Sequence, residues 1–381
     1  MTAFFTAPSI AWGPGAVEQL SGLTPRRALL LVDPAVARSD GARRVVEEIE
    51  KTGASVETVA DVGDPDHVAS VHRLRDAHRG TPPDLLVALG GGRCLDGAKA
   101  TRLALECPEL SLDALPPVLP LPDRATIALV AVPTTSGSGA DASWSADLVG
   151  SDGTLLEVAD RRLVPDWTVV DPGFAAAVPP AEVVPQALEA AALAIEAYLS
   201  AWSNPFSDAL AVDAASTIVR RLPHAVKWSG DPDARPAIHY AATAAGLAAS
   251  NAQRGIAHAL ARALERPTGL SYARLVGIVL PHALEFDRPG ARDRVELLAS
   301  AVAPPDERAP VALAARLRRL YENLRFPADL TAAGVAPDRL VEARATIVAA
   351  TLRSPAALAN PRVPSAADVG AILDAVAGRA A

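Results

Sequence analysis

One segment of this 381-residue chain constrains its fold more than any other: a short apolar run leads directly into three glycines and then a helical pattern. Residues 85–89 are wholly apolar, as expected of a buried strand, and residues 93–105 have helical periodicity. Gly90, Gly91 and Gly92 lie between them and are called the glycine turn below. They lack Cβ atoms, so backbone N–H groups can approach a phosphate there. The helix N-terminus adds partial positive charge. The alternative is a tight turn that only packs the helix on the strand.

The rest of the first half repeats this alternation of strand and helix. Residues 28–32, 127–132 and 168–170 are predicted as buried strands, and residues 41–52 and 68–79 as helices. Strands that alternate with helices in this way are typical of a parallel sheet with right-handed crossovers.

The pattern changes at two adjacent prolines, Pro179 and Pro180. From residue 181 onward the sequence has helical periodicity and almost no strand signal. We therefore predict an α/β nucleotide-binding domain over residues 1–179 and an all-helical domain over residues 180–381.

Charge, hydropathy and cysteine usage exclude several classes of partner. The net charge is −8 with acids and bases scattered along the chain, whereas nucleic-acid binding needs clustered Lys and Arg. No apolar run approaches the length that spans a bilayer, and the N-terminus has no signal-peptide pattern. Cys94 and Cys107 form neither a disulfide framework nor a zinc motif, which fits a reducing compartment. We expect a cytoplasmic protein without nucleic-acid or membrane partners.

A second loop follows the predicted strand over residues 127–132 and is called the hydroxyl loop, because it is rich in hydroxyl groups. Thr134, Thr135 and Ser138 lie in this loop and can donate hydrogen bonds to phosphate, ribose or an amide. Two such loops after strands of one sheet would form a ligand crevice at the carboxyl ends of the strands. The alternative is an ordinary Ser/Thr-rich surface loop.

Five segments resemble, in order and spacing, motifs of the iron-containing alcohol dehydrogenase superfamily. They are GGGRCLDGAKA at 90–100 (family GGGSxxDxAK), VPTTSGSGAD at 132–141 (PTTxGTGSE), LVPDWTVVDP at 163–172 (LLPDxxxxDP), AIEAYLSAWSNPFSDALA at 194–211 (HAIEAYxSxxANPxSDALA) and GIVLPHALEFD at 277–287 (LLPHVxxFN). The resemblance implies the dehydroquinate synthase-like fold: an α/β nucleotide domain, a helical domain and a cleft between them. It also implies a homo-oligomer, since the family is often dimeric or larger.

The resemblance further implies NAD or NADP, with the pyrophosphate on the glycine turn and the nicotinamide near the hydroxyl loop. Asp96 belongs to the glycine motif, and Arg93, where the family has Ser, is placed to add to phosphate binding. Asp33 follows the predicted strand over residues 28–32, where a carboxylate would bind the ribose 2′-OH and repel a 2′-phosphate. NAD is therefore favoured over NADP. The alternative is that Asp33 is a turn residue before Pro34.

The chain departs from the family at the metal site, which the resemblance implies on one Asp and three His. The matching residues here are Glu189, Leu193, His258 and Tyr272. Leucine cannot bind a metal, and tyrosine is a rare ligand for zinc or ferrous iron. The alternatives are a degraded site that is still loosely occupied and a site without metal. We predict that no metal is bound, because catalytic zinc usually takes three protein ligands.

A stripe of basic residues runs along the helix that contains His258. Arg254, His258, Arg262 and Arg266 are spaced by four, so they share one helical face, and Arg262 matches a cleft-facing, non-ligand histidine of the family. Arginine binds carboxylate or phosphate through paired N–H donors. The alternative is a solvated helix face with ordinary surface charges.

Hydride transfer without a metal needs a proton acceptor and positive charge near the developing oxyanion. His258 and Tyr272 are the candidate acid and base, and Glu189 could pair with Arg262 or orient His258. The alternative for Tyr272 is simple packing.

These features favour an NAD(P)-dependent, metal-independent dehydrogenase acting on a hydroxyl or keto group beside a carboxylate, with a small anionic or peptide substrate. Two related groups fit. Maleylacetate reductases work without metal on an acidic substrate. Dehydrogenase-like enzymes of daptide-type peptide biosynthesis oxidise the β-hydroxyl of a C-terminal threonine, whose β-keto acid then loses CO2. The alternatives are a non-catalytic nucleotide-binding or partner subunit and a lyase or cyclase related to dehydroquinate synthases.

Overall fold

A computed structural model describes residues 9–60, 67–112, 126–150, 155–228, 231–304 and 311–379. The chain divides into two compact units, Met1–Val178 and Pro179–Ala381, and each is described by itself. Within the described ranges, no helix is long and apolar enough to cross a membrane.

The first unit is built on a parallel sheet whose described strands lie in the order β1-β8-β5-β4-β2-β3. An antiparallel hairpin, β6–β7, lies outside this sheet. The strands are β1 (Ser9–Trp12), β2 (Arg27–Val32), β3 (Ser55–Ala60), β4 (Leu85–Gly90), β5 (Ala128–Pro133), β6 (Ser145–Val149), β7 (Leu155–Ala159) and β8 (Trp167–Val170). The helices are α1 (Asp40–Glu50), α2 (His67–His78), α3 (Gly92–Glu106) and the short α4 (Pro172–Ala175).

The core of the first unit covers both faces of the sheet. One apolar cluster joins α1 to one face, and a second joins α2 and α3 to the other. All six residues of β4 are therefore buried, which is why its sequence is a continuous apolar run rather than an alternating one. The predicted strands over residues 28–32, 85–89, 127–132 and 168–170 and the predicted helices are confirmed within one or two residues at each end.

The sequence did not predict β1, β3 or the β6–β7 hairpin. β1 and β3 are the two edge strands of the sheet, and most of their residues are exposed or half-buried. An edge strand needs little apolar surface, so its sequence resembles a polar loop.

The strand order places a topological switch point between β2 and β4. From β2 the chain crosses to β3 on one side and then returns to β4 on the other. In open parallel sheets, ligands bind outside the carboxyl ends of the strands at such a point. Asp33 follows β2 and the glycine turn follows β4, so both lie at this position.

The second unit is helical throughout its described residues and packs around one central helix. This helix, α5 (Pro180–Leu199), is almost entirely buried from residue 184 onward and contacts α6, α7, α8 and α9. The helices after α5 are α6 (Pro205–Lys227), α7 (Ala234–Ala252), α8 (Ile256–Thr268), α9 (Tyr272–Asp287), α10 (Arg292–Ala301), α11 (Leu313–Leu324), α12 (Pro337–Arg353), α13 (Pro355–Ala359) and α14 (Ala366–Val376). The predicted fold class, a parallel α/β unit followed by a helical one, is confirmed.

Candidate functional site

The glycine turn and the hydroxyl loop are in direct contact. β4 ends at Gly90, Gly91 caps α3 in an extended conformation, and α3 begins at Gly92. A Cβ atom on Gly92 would lie 2.7 Å from Ser138 Oγ, and one on Gly91 would lie 3.2 Å from Thr135 Cγ2. The missing side chain at Gly92 is therefore what permits the hydroxyl loop to approach, and the two loops form one surface at the carboxyl ends of β4 and β5.

Asp33 lies against the same turn. Its Oδ2 is 4.0 Å from the place of a Cβ on Gly91, and its Oδ1 accepts a hydrogen bond from the Ala35 N–H at 2.9 Å. Asp33 is thus a turn residue and also a neighbour of the glycine turn, so both sequence interpretations describe part of its environment. Thr134 is buried and donates its backbone N–H to the Gly90 carbonyl at 3.0 Å, which fixes the start of the hydroxyl loop.

Asp96 and Lys99 connect α3 to the hairpin. Asp96 accepts from the Asp147 N–H at 3.1 Å and from Lys99 Nζ at 3.4 Å, and Lys99 also donates to the Ser145 carbonyl at 2.7 Å. Burial raises the pKa of Asp96 and lowers that of Lys99, and their mutual attraction opposes both shifts. These contacts position α3, and cofactor binding by Asp96 stays a prediction. Arg93 is exposed on the first turn of α3.

A second cluster, in the helical unit, is centred on His258. Glu196 on α5 accepts a hydrogen bond from His258 Nδ1, from the Gly255 N–H at 2.9 Å and from the Ala257 N–H at 2.6 Å. Both ionisable side chains are only 3% exposed. A Cβ on Gly255 would lie 2.8 Å from Glu196 Oε1, so glycine is required where α8 begins. The carboxylate therefore caps α8 and holds the imidazole of its first turn.

Arg262 and Tyr272 complete this cluster. The Arg262 guanidinium carbon lies 3.7 Å from the centroid of the Tyr272 ring, a cation–π contact, and Nη1 donates to Glu265 Oε2 at 2.6 Å. The Tyr272 and His258 rings meet edge to face, with centroids 6.0 Å apart. The Arg262 side chain is 18% exposed. The structure thus brings together three of the predicted site residues from α8 and α9.

The remaining predicted residues of the basic stripe differ in exposure. Arg254 is half-buried, whereas Arg266 is exposed. The solvated-face interpretation therefore describes Arg266.

Glu196 hydrogen-bonds His258, which the sequence did not predict, and orientation of His258 by Glu189 stays a prediction. Glu189 is buried on the same helix, almost two turns before Glu196, and its predicted pairing with Arg262 stays a prediction. One sequence signal could have identified Glu196, because it is a charged residue whose neighbours on both sides, Ile195 and Ala197, are apolar.

The positions that match the metal ligands of the family do not make a suitable donor set. Leu193 is 3% exposed and belongs to the apolar core of the helical unit. The face of the Tyr272 ring is covered by Arg262. In the part of the chain that the structure describes, no three His, Cys, Asp or Glu side chains form a group that could hold a metal ion. The donor chemistry therefore does not fit a catalytic zinc or iron.

A parallel sheet with a glycine turn at its switch point, followed in the chain by a helical unit, defines a class of nucleotide-binding α/β proteins. The chain matches the iron-containing alcohol dehydrogenase model over residues 7–172 and the model of that family's C-terminal part over residues 184–377. It belongs to the iron-containing alcohol dehydrogenase family and is an oxidoreductase that acts on CH–OH groups.

Individual relatives agree with this assignment. The chain is 28% identical over 338 residues to an NADPH-dependent butanol dehydrogenase of Clostridium saccharobutylicum, covering 87% of each chain. It is 27% identical over 388 residues to an NAD-dependent methanol dehydrogenase of Bacillus methanolicus, covering 98% of this chain and 99% of the relative. The structure of an iron-containing alcohol dehydrogenase from Thermococcus thioreducens superposes with a TM-score of 0.90 at 27% identity, covering 98% of this chain and 99% of that one.

Proposed function

We propose that this protein is an NAD-dependent dehydrogenase that works without a metal on a hydroxyl or keto group adjacent to a carboxylate. The observation that carries the proposal is the Arg262 guanidinium, which is mostly buried and is stacked on Tyr272, the ring that meets His258 edge to face. These residues stand where the motifs of the family place metal ligands and their neighbouring histidine. Arg262 itself matches the non-ligand histidine, so it adds a positive charge beside two of the family's ligand positions, His258 and Tyr272.

The chemistry assigned to each group follows from its charge and contacts. A nicotinamide cofactor, when bound at the glycine turn, would supply the hydride acceptor. Arg262 holds the substrate carboxylate and adds positive charge near the oxygen that becomes a carbonyl. His258 or Tyr272 takes the hydroxyl proton.

Two substrate classes place a hydroxyl or keto group near a carboxylate in the required way. One is a peptide that ends in threonine, whose β-hydroxyl would be oxidised to a β-keto acid that then loses CO2. The other is a small unsaturated keto diacid of the maleylacetate type, whose carbon–carbon double bond, conjugated with the keto group, would be reduced by NADH. Arg262 binds one carboxylate of the substrate in either case.

The test offers both substrate classes to the purified enzyme. We expect NADH formation with a threonine-terminated peptide, together with loss of two hydrogens and CO2 by mass spectrometry. A peptide that ends in threonine amide is the matched control, because it keeps the hydroxyl and lacks the carboxylate. Oxidation of NADH by maleylacetate alone would assign the second class. Tight NAD binding without turnover of either would contradict both substrate classes.

The purified protein is expected to contain well below one zinc or iron per chain, and chelators should leave its activity unchanged. The reason is that Leu193 and Tyr272 occupy two of the four ligand positions, whereas a catalytic zinc needs about three protein ligands. Elemental analysis before and after dialysis against a chelator measures this, with re-addition of zinc and iron as the control. Stoichiometric metal that leaves together with the activity would contradict the proposal.

Asp33→Ala is expected to weaken NAD binding by about tenfold, because a hydrogen bond to a charged group contributes about 1.5–3 kcal/mol. NADP binding should improve relative to NAD once the carboxylate no longer repels the 2′-phosphate. Calorimetry with both cofactors gives the ratio.

Asp33→Asn is the matched control, because it can keep the turn bond to the Ala35 N–H while losing the charge. If Asp33 recognises the cofactor, the asparagine variant should also shift the ratio towards NADP. A wild-type ratio in both variants would leave Asp33 as a turn residue only.

A further inference from the structure

The contact between Glu196 and His258 determines which nitrogen of the imidazole is available. A carboxylate only accepts hydrogen bonds, and both oxygens of Glu196 already face backbone N–H donors of the α8 start. The hydrogen of the neutral imidazole must therefore be on Nδ1, which donates to Glu196. Nε2 then carries the free lone pair. Among the described residues, the bond to Glu196 is the only hydrogen bond of His258.

We infer that His258 Nε2 is the proton acceptor of the reaction and that Glu196 is the positioning residue that holds His258 in this tautomer. The inference rests on the function proposed above, and it decides between His258 and Tyr272 as the base. A buried carboxylate on the far nitrogen orients an imidazole and stabilises its cation once a proton arrives. Glu196 meets both requirements from a helix that is itself buried.

The O–H bond of the substrate breaks and its proton moves to His258 Nε2. The C–H bond on the same carbon breaks, and its hydrogen would leave with the electron pair to NAD(P)+, the oxidant that the proposed function supplies when the cofactor is bound. The carbon is oxidised as its bond to oxygen becomes a carbonyl. The imidazolium that remains is paired with the Glu196 carboxylate.

The start of α8 is held from a second direction by Asn360. Its Oδ1 accepts from the Ile256 N–H at 3.0 Å, and its Nδ2 donates to the Arg362 carbonyl at 2.9 Å. Glu196 and Asn360 therefore cap the same helix start, but only Glu196 hydrogen-bonds His258. This difference separates a tautomer effect from a general loss of support for the helix.

Glu196→Gln is the informative change because glutamine has one acceptor oxygen and one NH2 group. If the NH2 group faces His258, Nδ1 must become the acceptor and the hydrogen moves to Nε2, which can no longer take a proton. We expect kcat to fall about 100-fold or more, the range of general base catalysis, with little change in KM. The affinity for NAD, measured by calorimetry, should stay the same.

Two further variants act as controls. Asn360→Ser removes the other cap of α8 and should lower Tm while leaving kcat within a few-fold of the wild type. His258→Gln removes the imidazole itself and should lose as much kcat as Glu196→Gln. Equal losses of kcat in Asn360→Ser and Glu196→Gln would mean a purely structural role for Glu196 and would overturn the inference.

Nitrogen NMR of the histidine side chains tests the tautomer without any substrate. The His258 signals are those absent from His258→Gln. We expect the wild type to show hydrogen on Nδ1 and a bare Nε2, and Glu196→Gln to lose this pattern. Hydrogen on Nε2 in the wild type overturns the inference whatever the substrate. Full turnover in His258→Gln would overturn it too, and would leave the proposed dehydrogenase function intact.

Discussion

Asp287→Asn is expected to raise the free energy of unfolding at neutral and alkaline pH, and to do so less as the pH approaches 4. Burial raises the pKa of Asp287 to about 8, with the Glu196 charge adding to the shift and the Asn360 hydrogen bond opposing it. The unfolded chain releases this proton near the ordinary value of 3.8, so the native state binds more protons between the two values. Wild-type stability therefore falls as the pH rises from about 4 to about 8.

The size of this effect follows from linkage. One pKa unit corresponds to about 1.4 kcal/mol, so the complete shift would be worth roughly 6 kcal/mol as an upper limit. Asparagine has nearly the same shape, carries no charge and can still accept from Asn360. It is also the residue that the matching family motif has at this position.

Urea unfolding at pH 5, 7 and 8.5 measures the effect. Asp374→Asn is the control of opposite sign, because the Arg344 hydrogen bond lowers the pKa of the partly exposed Asp374. The Asp374 variant should lose a little stability at neutral pH. An Asp287→Asn variant that is no more stable than the wild type at pH 8.5 would show that the buried carboxyl group does not carry the expected penalty.

Arg262→Ala is expected to reduce kcat/KM for an anionic substrate by about tenfold or more, because a charge-assisted contact is worth about 1.5–3 kcal/mol. Arg262→Lys should be nearly as damaging, since lysine keeps the charge but loses both the planar fork and the stacking on Tyr272. The methyl ester of the substrate should lose similar efficiency with the wild type and little more with Arg262→Ala. The losses of kcat/KM from two changes to one contact do not add.

Arg266→Ala is the matched control for this cycle, because Arg266 lies one turn further along α8 and is exposed. It should leave kcat/KM nearly unchanged. Purely additive losses for the Arg262 variant and the methyl ester would contradict a direct contact between Arg262 and the carboxylate. Glu265→Gln adds a second check: Glu265 pairs with Arg262, so its neutralisation should strengthen binding of the anion.

The parts of the fold that could be predicted are those whose burial is uniform. β4 is buried on both faces, and its apolar run and glycine turn were sufficient to place it. β3 is an edge strand with mostly exposed or half-buried side chains, so neither an apolar run nor an alternating pattern marks it. Most side chains of such a strand contact solvent, so its amino-acid composition resembles that of a surface loop.

The two parts of the candidate site also differed in how far they could be predicted from the sequence. Asp33, the glycine turn and the hydroxyl loop could be grouped because each follows a strand, and the carboxyl ends of parallel strands share one edge. The pair of Glu196 and His258 could not be predicted from the sequence, because the two residues lie on different helices and are 62 positions apart. Helical spacing identifies neighbours on one helix, as it did for His258 and Arg262, but not partners across a helix interface.

The pairing of β1 with β8 also sets the order in which the first unit can fold during synthesis. β1 leaves the ribosome first, yet β8 separates it from the rest of the sheet, and the Gly15 N–H meets the Asp171 carboxylate across 156 residues. β1 can join the sheet only after β8 has been made, and pairing between strands so far apart in the chain is slow. An unpaired strand is an aggregation hazard in the meantime. β1 has only four residues, none of them fully buried even when paired, so it offers few unpaired backbone groups to other chains before β8 is available.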